Sequence, residues 1–289
     1  MKKSILVTGA DGQLGHALRT LAPDYDGAAF YFTDVDTLDI CDADRLTAFV
    51  REHHIDWLLN CAAYTAVDRA EDDVSTCMRI NRDAVQTVGE VARAEGIRVI
   101  HLSTDYVFDG RAARPYREAD PPRPLSVYGQ SKLEGEKALQ QACPEAVIIR
   151  TAWLYSEFGA NFLKTMLRLG RERKEIHVVA DQTGTPTYAG DLAAAMLAVT
   201  DHPAPPPGIY HYSGEGVCTW HAFAEKIMTL AGLDCRVSPV ASRDYPARAV
   251  RPAYSLLDKE KIKRTYRVEV PDWETSLRRC IRILTHRYI

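Results

Sequence analysis

The chain predicts an α/β fold: a Rossmann-type parallel sheet with helices on both faces, plus a smaller C-terminal lobe. Three observations carry this expectation. Short β-branched and aliphatic runs alternate with helical segments over the first half of the chain, the rhythm of βαβ units. The runs are apolar throughout, as in Ile5-Leu6-Val7 and Val147-Ile148-Ile149, which suits strands covered on both sides. A glycine turn, Gly9-Ala10-Asp11-Gly12-Gln13-Leu14-Gly15, joins the first run directly to the first helix.

In order, strands are expected at 4–8, 28–33, 57–61, 97–102 and 146–150. Helices are expected at 13–22, 44–53, 74–95 and from Tyr128 to about Gln141. The rhythm then loosens. A helix at 161–172 leads to a strand at 176–179, the turn Asp181-Gln182-Thr183-Gly184-Thr185-Pro186 and a helix at 190–200. The run His202-Pro203-Ala204-Pro205-Pro206-Pro207-Gly208 is the strongest punctuation in the chain. Beyond it come a strand at 209–212, a helix at 219–231, a basic, proline-dotted stretch at 243–252 and a last helix near Asp272-Trp273. The expected division assigns 1–150, with part of 176–205, to the Rossmann-type domain. Residues 151–175 and 206–289 then form the smaller lobe.

Composition narrows the function classes. At 289 residues the chain can bury a full core. A formal charge of −3 gives no electrostatic case for nucleic acid or an anionic membrane. Seven cysteines are scattered without a CxxC pair, so neither a disulfide framework nor a zinc site is expected and a reducing compartment fits. The apolar run before Gly9 is too short for a signal peptide and 192–199 too short for a membrane span. The expected location is cytoplasmic.

The chemistry converges on 99–132. An apolar run ends in Ser103-Thr104-Asp105, and Tyr128-Gly129-Gln130-Ser131-Lys132 opens a helix. Four-residue spacing puts Tyr128 and Lys132 on one helical face, one turn apart. A lysine ammonium beside a phenol favours the phenolate, lowering a pKa of about 10 and making the tyrosine a proton donor and acceptor near neutral pH. Thr104 supplies a third hydroxyl. A helical tyrosine beside a solvated lysine would show the same spacing.

At the glycine turn, one glycine permits the tight turn and another lets backbone approach a pyrophosphate at the positive end of the helix. Gly9 and Gly12 are the candidates. The spacing is GxxGxxG, and its place after an N-terminal strand makes it a dinucleotide signal. Asp34 falls where a carboxylate accepts from a ribose 2′-hydroxyl, favouring NADH; Asp36, Asp39 and Asp42 lie close enough to compete for the role. The small residues of Asn60-Cys61-Ala62-Ala63-Tyr64-Thr65 suit a backbone passing near a cofactor.

Taken with Asn60 to Asp68, Leu102-Ser103-Thr104-Asp105-Tyr106-Val107-Phe108-Asp109-Gly110 and Arg150-Thr151-Ala152-Trp153, the chain resembles the extended short-chain dehydrogenase/reductases. More narrowly, it is similar to the family that reduces dTDP-4-dehydrorhamnose. Asp181-Gln182-x-Gly184-x-Pro186-Thr187 and Arg251-Pro252 extend the likeness over nearly the whole length. The resemblance implies NADH or NADPH as cofactor, hydride transfer to C4 of a 4-keto sugar, and Tyr128 as proton donor. It implies Lys132 tuning Tyr128 and holding the nicotinamide ribose, Thr104 bonding the reacting oxygen, and Asp105 and Trp153 contacting the sugar. It places Gly12, Gln13 and Leu14 at the pyrophosphate, Asp39 and Ile40 at the adenosine, and Ala63, Tyr64 and Thr65 further along the cofactor. Arg243, Arg248 and Arg251 are candidates for the substrate's diphosphate. Some relatives carry an acidic residue after the third glycine and dimerise through magnesium. Here the position is His16, so no metal is expected, and a homodimer is the candidate assembly. Alternatives are another nucleotide-sugar 4-keto reductase or epimerase, and a non-catalytic dinucleotide-binding subunit.

Overall fold

The computed structural model describes residues 2–286. The apolar runs form parallel strands β1 (Lys3–Thr8), β2 (Ala28–Thr33), β3 (Trp57–Asn60), β4 (Arg98–Thr104) and β5 (Val147–Thr151). A sixth strand, Gly208–His211, lies parallel to β5. The sheet order is therefore sixth strand, β5, β4, β3, β1, β2.

That sixth strand corrects the expected division, which gave all of 206–289 to the smaller lobe. The physical reason lies in the preceding helix. Leu192, Met196 and Val199 of Ala189–Asp201 share one core with Ile5, Val7 and Ile149, and the proline run returns the chain to the free edge of β5. A parallel neighbour needs such a crossover.

Successive side chains on a strand point to opposite faces. Ile5 and Val7 enter the core under helices Gln13–Leu21 and Ala189–Asp201, while Leu6 enters the opposite core with Leu46, Val85 and Val88. Strand order reverses between β1 and β3, and such a reversal leaves a crevice at the carboxyl ends.

The helix expected at 74–95 is present with an unforeseen feature. A π turn, Arg79–Asp83, separates Val74–Met78 from Ala84–Glu95. Asn81 in this turn is fully buried; its side chain bonds the Tyr64 amide at 2.9 Å, the Tyr64 carbonyl at 3.0 Å and Ser131 Oγ at 3.0 Å.

In the smaller lobe, helices Phe162–Glu172, Trp220–Ala231 and Trp273–His286 enclose Leu163, Phe223, Ile227 and Leu277. The strand Glu175–Val179 pairs with Arg236–Val240 outside the main sheet. The latter is not among the strands expected from the sequence; it contains Pro239, which a two-stranded sheet, being all edge, tolerates. Among the described residues no helix is long and apolar enough to cross a membrane.

Candidate active site

A cleft of about 1000 Å³ opens over the carboxyl ends of β1, β3, β4 and β5. Its floor begins at the glycine turn. Gly9 takes φ +65°, and a Cβ there would lie 2.6 Å from the Ala62 amide nitrogen, so only glycine lets the ends of β1 and β3 close together. Asp34 holds the turn from the other side, accepting from the Asp11 amide at 2.9 Å and from its own neighbour Val35 at 2.8 Å. Gly12 caps helix Gln13–Leu21 with no side chain bonded to the first turn and no acidic residue in it. No side-chain cap and no first-turn carboxylate therefore occupies the helix's positive end, which faces the cleft.

This arrangement suits a dinucleotide. A Cβ at Gly12 would approach Gly9 O at 3.2 Å and would otherwise stand in open space, the space a pyrophosphate needs. Gln13, Leu14, Asp34, Asp39 and Ile40 line the same wall, with Ala63 and Thr65 beyond them. Gln13 also ties the turn to the smaller lobe, its Oε1 accepting from Ser156 at 3.0 Å and Asn161 at 2.9 Å. Of the competing carboxylates, Asp42 caps helix Ala43–Glu52 by accepting from Arg45 N at 3.0 Å, and Asp36 is exposed outside the lining. Tyr64 departs from expectation. Its hydroxyl turns to Asp73 at 3.3 Å, because Asn81 grips its backbone, and the side chain does not line the cleft.

Thr104, Asp105, Tyr128 and Lys132 meet at the centre of the cleft. Thr104 stands at the end of β4, donating to Asp105 Oδ1 at 3.1 Å and accepting from the Tyr106 amide at 3.2 Å. Ser126 caps helix Val127–Ala142 through the Gly129 amide at 3.1 Å, which aims the first turn, and Tyr128 with it, at the cleft. The Tyr106 ring packs edge-on against Tyr128 at 5.5 Å.

One expectation is corrected here. Burial pushes the Tyr128 phenol well above its ordinary range; the Thr104 hydroxyl opposes the shift, and Asp105 and Cys77 add to it. Lys132 does not bring it down, because its Nζ is directed to Leu102 O at 2.6 Å and His101 Nε2 at 3.3 Å. Burial lowers Lys132 itself to about 8 against the opposing pull of Glu136, Cys77 and Cys61. The phenol is thus a protonated acid throughout the neutral range, the state a carbonyl reduction requires. Asp105 is buried, and burial raises it to about 6 against the opposing hydrogen bonds of Ser255 and Thr104.

The far wall comes from the smaller lobe. Trp153, at φ +49°, lies flat against Trp220 with centroids 3.7 Å apart. Trp220, Phe162 and Asn161 also line the cleft, and none of them is given a site role by the sequence. Arg251 is absent from the lining. Asp68 engages its guanidinium at 2.7 and 3.1 Å, and Arg248 pairs with Asp72. With those charges already neutralised by carboxylates, this arrangement gives no support to the diphosphate role. Arg243 is exposed beside Asp244. His16 stacks on Phe158 at 5.0 Å.

A parallel sheet with a glycine turn, joined to a cleft holding Thr104, Tyr128 and Lys132, defines an oxidoreductase of the extended short-chain dehydrogenase/reductase type. The comparisons narrow this. A profile described as "RmlD substrate binding domain" matches residues 1–286. A dTDP-4-dehydrorhamnose reductase of Sinorhizobium fredii is 40% identical over 287 residues, covering 96% of either chain. The crystal structure of dTDP-4-dehydrorhamnose reductase from Bacillus anthracis in complex with NADP superposes with a TM-score of 0.93 at 38% identity, covering 98% of this chain and 100% of that one. A probable dTDP-4,6-dihydroxy-2-methyloxan-3-one 4-ketoreductase of Streptomyces antibioticus is 40% identical over 281 residues, covering 94% and 92%. The chain belongs to the dTDP-4-dehydrorhamnose reductase (RmlD) family.

Proposed function

We infer that this protein reduces dTDP-4-dehydro-L-rhamnose to dTDP-L-rhamnose at the expense of NADH or NADPH, the closing reaction of dTDP-rhamnose synthesis. The observation that carries the reading is one cleft in which a protonated phenol and a helix N-terminus without a side-chain cap face the same space. Bound NAD(P)H supplies a hydride for C4 of the sugar.

The chain's own residues supply the rest. Gly9, Gly12, Gln13 and Leu14 hold the pyrophosphate, Asp34, Asp39 and Ile40 the adenosine half, and Ala63 and Thr65 flank the remainder. Tyr128 gives its proton to the C4 oxygen, and Thr104 hydrogen-bonds that oxygen. Lys132 orients the ribose, while Asp105 and Trp153 fix the sugar. Asp34 favours NADH, since a 2′-phosphate beside it meets a like charge. The relative holding NADP makes both reduced cofactors necessary arms of the test.

That test follows NAD(P)H oxidation by the purified chain with dTDP-4-dehydro-L-rhamnose. Substrate-dependent oxidation yielding dTDP-L-rhamnose is expected, and oxidation no faster than without sugar contradicts the reading. The Streptomyces antibioticus relative favours a second reading, a 4-ketoreductase for another dTDP-sugar; a higher kcat/KM with that sugar would select it. In the same proposal the enzyme works in the cytoplasm as a homodimer, and sedimentation at assay concentration checks the dimer.

A further inference from the structure

Behind the cleft a line of buried polar side chains crosses three strands. Thr8 on β1, Asn60 on β3 and His101 on β4 lead to Lys132, and each is at most 2% exposed. Asn60 Oδ1 receives the Thr8 hydroxyl at 2.9 Å and the Ala62 backbone amide at 3.2 Å. A backbone N–H only donates, so the atom it meets must be the carbonyl oxygen. The other end of the carboxamide is then the NH₂ group, and it lies 3.1 Å from His101 Nδ1. A ring nitrogen receiving that hydrogen cannot carry one of its own. Burial and the charge of Lys132 keep His101 neutral, far below its ordinary pKa, and a neutral imidazole accepting at Nδ1 bears its hydrogen on Nε2. Nε2 is the atom 3.3 Å from Lys132 Nζ.

We propose that His101 is a positioning residue for Lys132: locked as its Nε2–H tautomer by Asn60, it presents a donor to the lysine nitrogen and so loosens that nitrogen's hold on its third proton. An ammonium finds a second donor opposite it, whereas the neutral amine accepts the bond. The remaining neighbours are the Leu102 carbonyl, the thiols of Cys61 and Cys77, Glu136 one turn on and Tyr128 one turn back. Glu136 and both thiols favour the ammonium, and Glu136 is already held by Arg150. His101 acts on the same side as burial. The result is a lysine that exchanges its proton near neutral pH, beside a phenol that must be reprotonated after every turnover.

This inference rests on the assignment of Lys132 to the machinery, and its test separates the two. In the full-length protein without cofactor, ¹⁵N shifts of His101 should show a bare Nδ1 and a protonated Nε2; the reverse pattern overturns the proposal, with no variant needed. The Lys132 amine, followed by NMR across pH, should titrate at about 8. H101F keeps the ring and removes the donor, and should raise that value by about one unit, roughly tenfold in proton affinity. H101Q offers an amide that accepts from Asn60 and donates to the lysine, and should return it; a merely structural role would not. An unchanged titration in H101F also overturns the proposal. Should the tautomer prove right while K132M retains full reductase activity, the fault lies with the role of Lys132.

Discussion

Lys132 and Glu136 sit one turn apart on the same helix, 2% and 1% exposed, and are treated in opposite ways. Glu136 is held by both arms of Arg150, at 2.8 and 2.6 Å, and by the Ser103 hydroxyl. Lys132 has no carboxylate bonded to it: its partners are a carbonyl and a neutral imidazole. A buried charge that is fully paired fixes one geometry, while a buried charge left short of a partner keeps a shifted pKa. The helix thus carries a structural clamp and a reactive group side by side, and the reactive one faces the cleft.

The contrast can be broken by substitution. The largest expected effect is Tyr128→Phe, which should lower kcat by about 10²–10⁴ while leaving NAD(P)H affinity unchanged in a fluorescence titration. Near wild-type turnover would remove Tyr128 from the chemistry. Lys132→Met should weaken both kcat and cofactor affinity, yet leave the melting temperature level or higher, because it deletes an unpaired buried charge. Glu136→Gln should do the reverse and destabilise by about 3–5 kcal/mol in urea unfolding, since it strands the Arg150 guanidinium. Equal stability losses at 132 and 136 would erase the distinction.

Asp105 sharpens it on the acidic side. Its folded-state pKa, about 6, lies above the ordinary 3.8, so the folded chain binds that proton more tightly than the unfolded one. The group favours the folded state below pH 4, and this contribution is lost as pH rises to about 6. Asp105→Asn should therefore add up to about 3 kcal/mol of stability at pH 7 and lower turnover. A flat difference between the two proteins from pH 4 to 7 would contradict the shift. The smallest effect belongs to Asp42→Ala, which removes a helix cap worth about 1 kcal/mol and should not alter NADH affinity, whereas Asp34→Ala should weaken it.

The halves of the chain differ in how far the sequence discloses them. Strands β1 to β5 and the glycine turn were legible because both signals are local: an apolar run covered on both faces, and a turn needing φ > 0 at Gly9. Thr104, Tyr128 and Lys132 could be brought together for the same reason, one strand end and one helical turn. Hidden from such reading was whatever depends on residues far apart. Trp220 meets Trp153 only after the smaller lobe has folded. The π turn at Asn81 leaves no periodic trace. Arg251 sits in a basic stretch that suggests an anion site until Asp68, 183 residues away, is seen to occupy it. His101 lies inside an apolar strand and reads as core. Its place beside Lys132 depends on register, Asn60 opposite His101 in the β3–β4 pairing. The expectation that Lys132 lowers Tyr128 failed on the same ground, since spacing puts two residues on one face without saying where each side chain bonds.

The central claim is that the cleft delivers a hydride to the sugar's C4 while Tyr128 protonates the oxygen. Incubating the wild-type protein with dTDP-4-dehydro-L-rhamnose and 4-deuterated NADH or NADPH, then locating deuterium in the product by NMR, tests it most directly. The account predicts dTDP-L-rhamnose labelled at C4 alone. Product with deuterium elsewhere, or none, would contradict it.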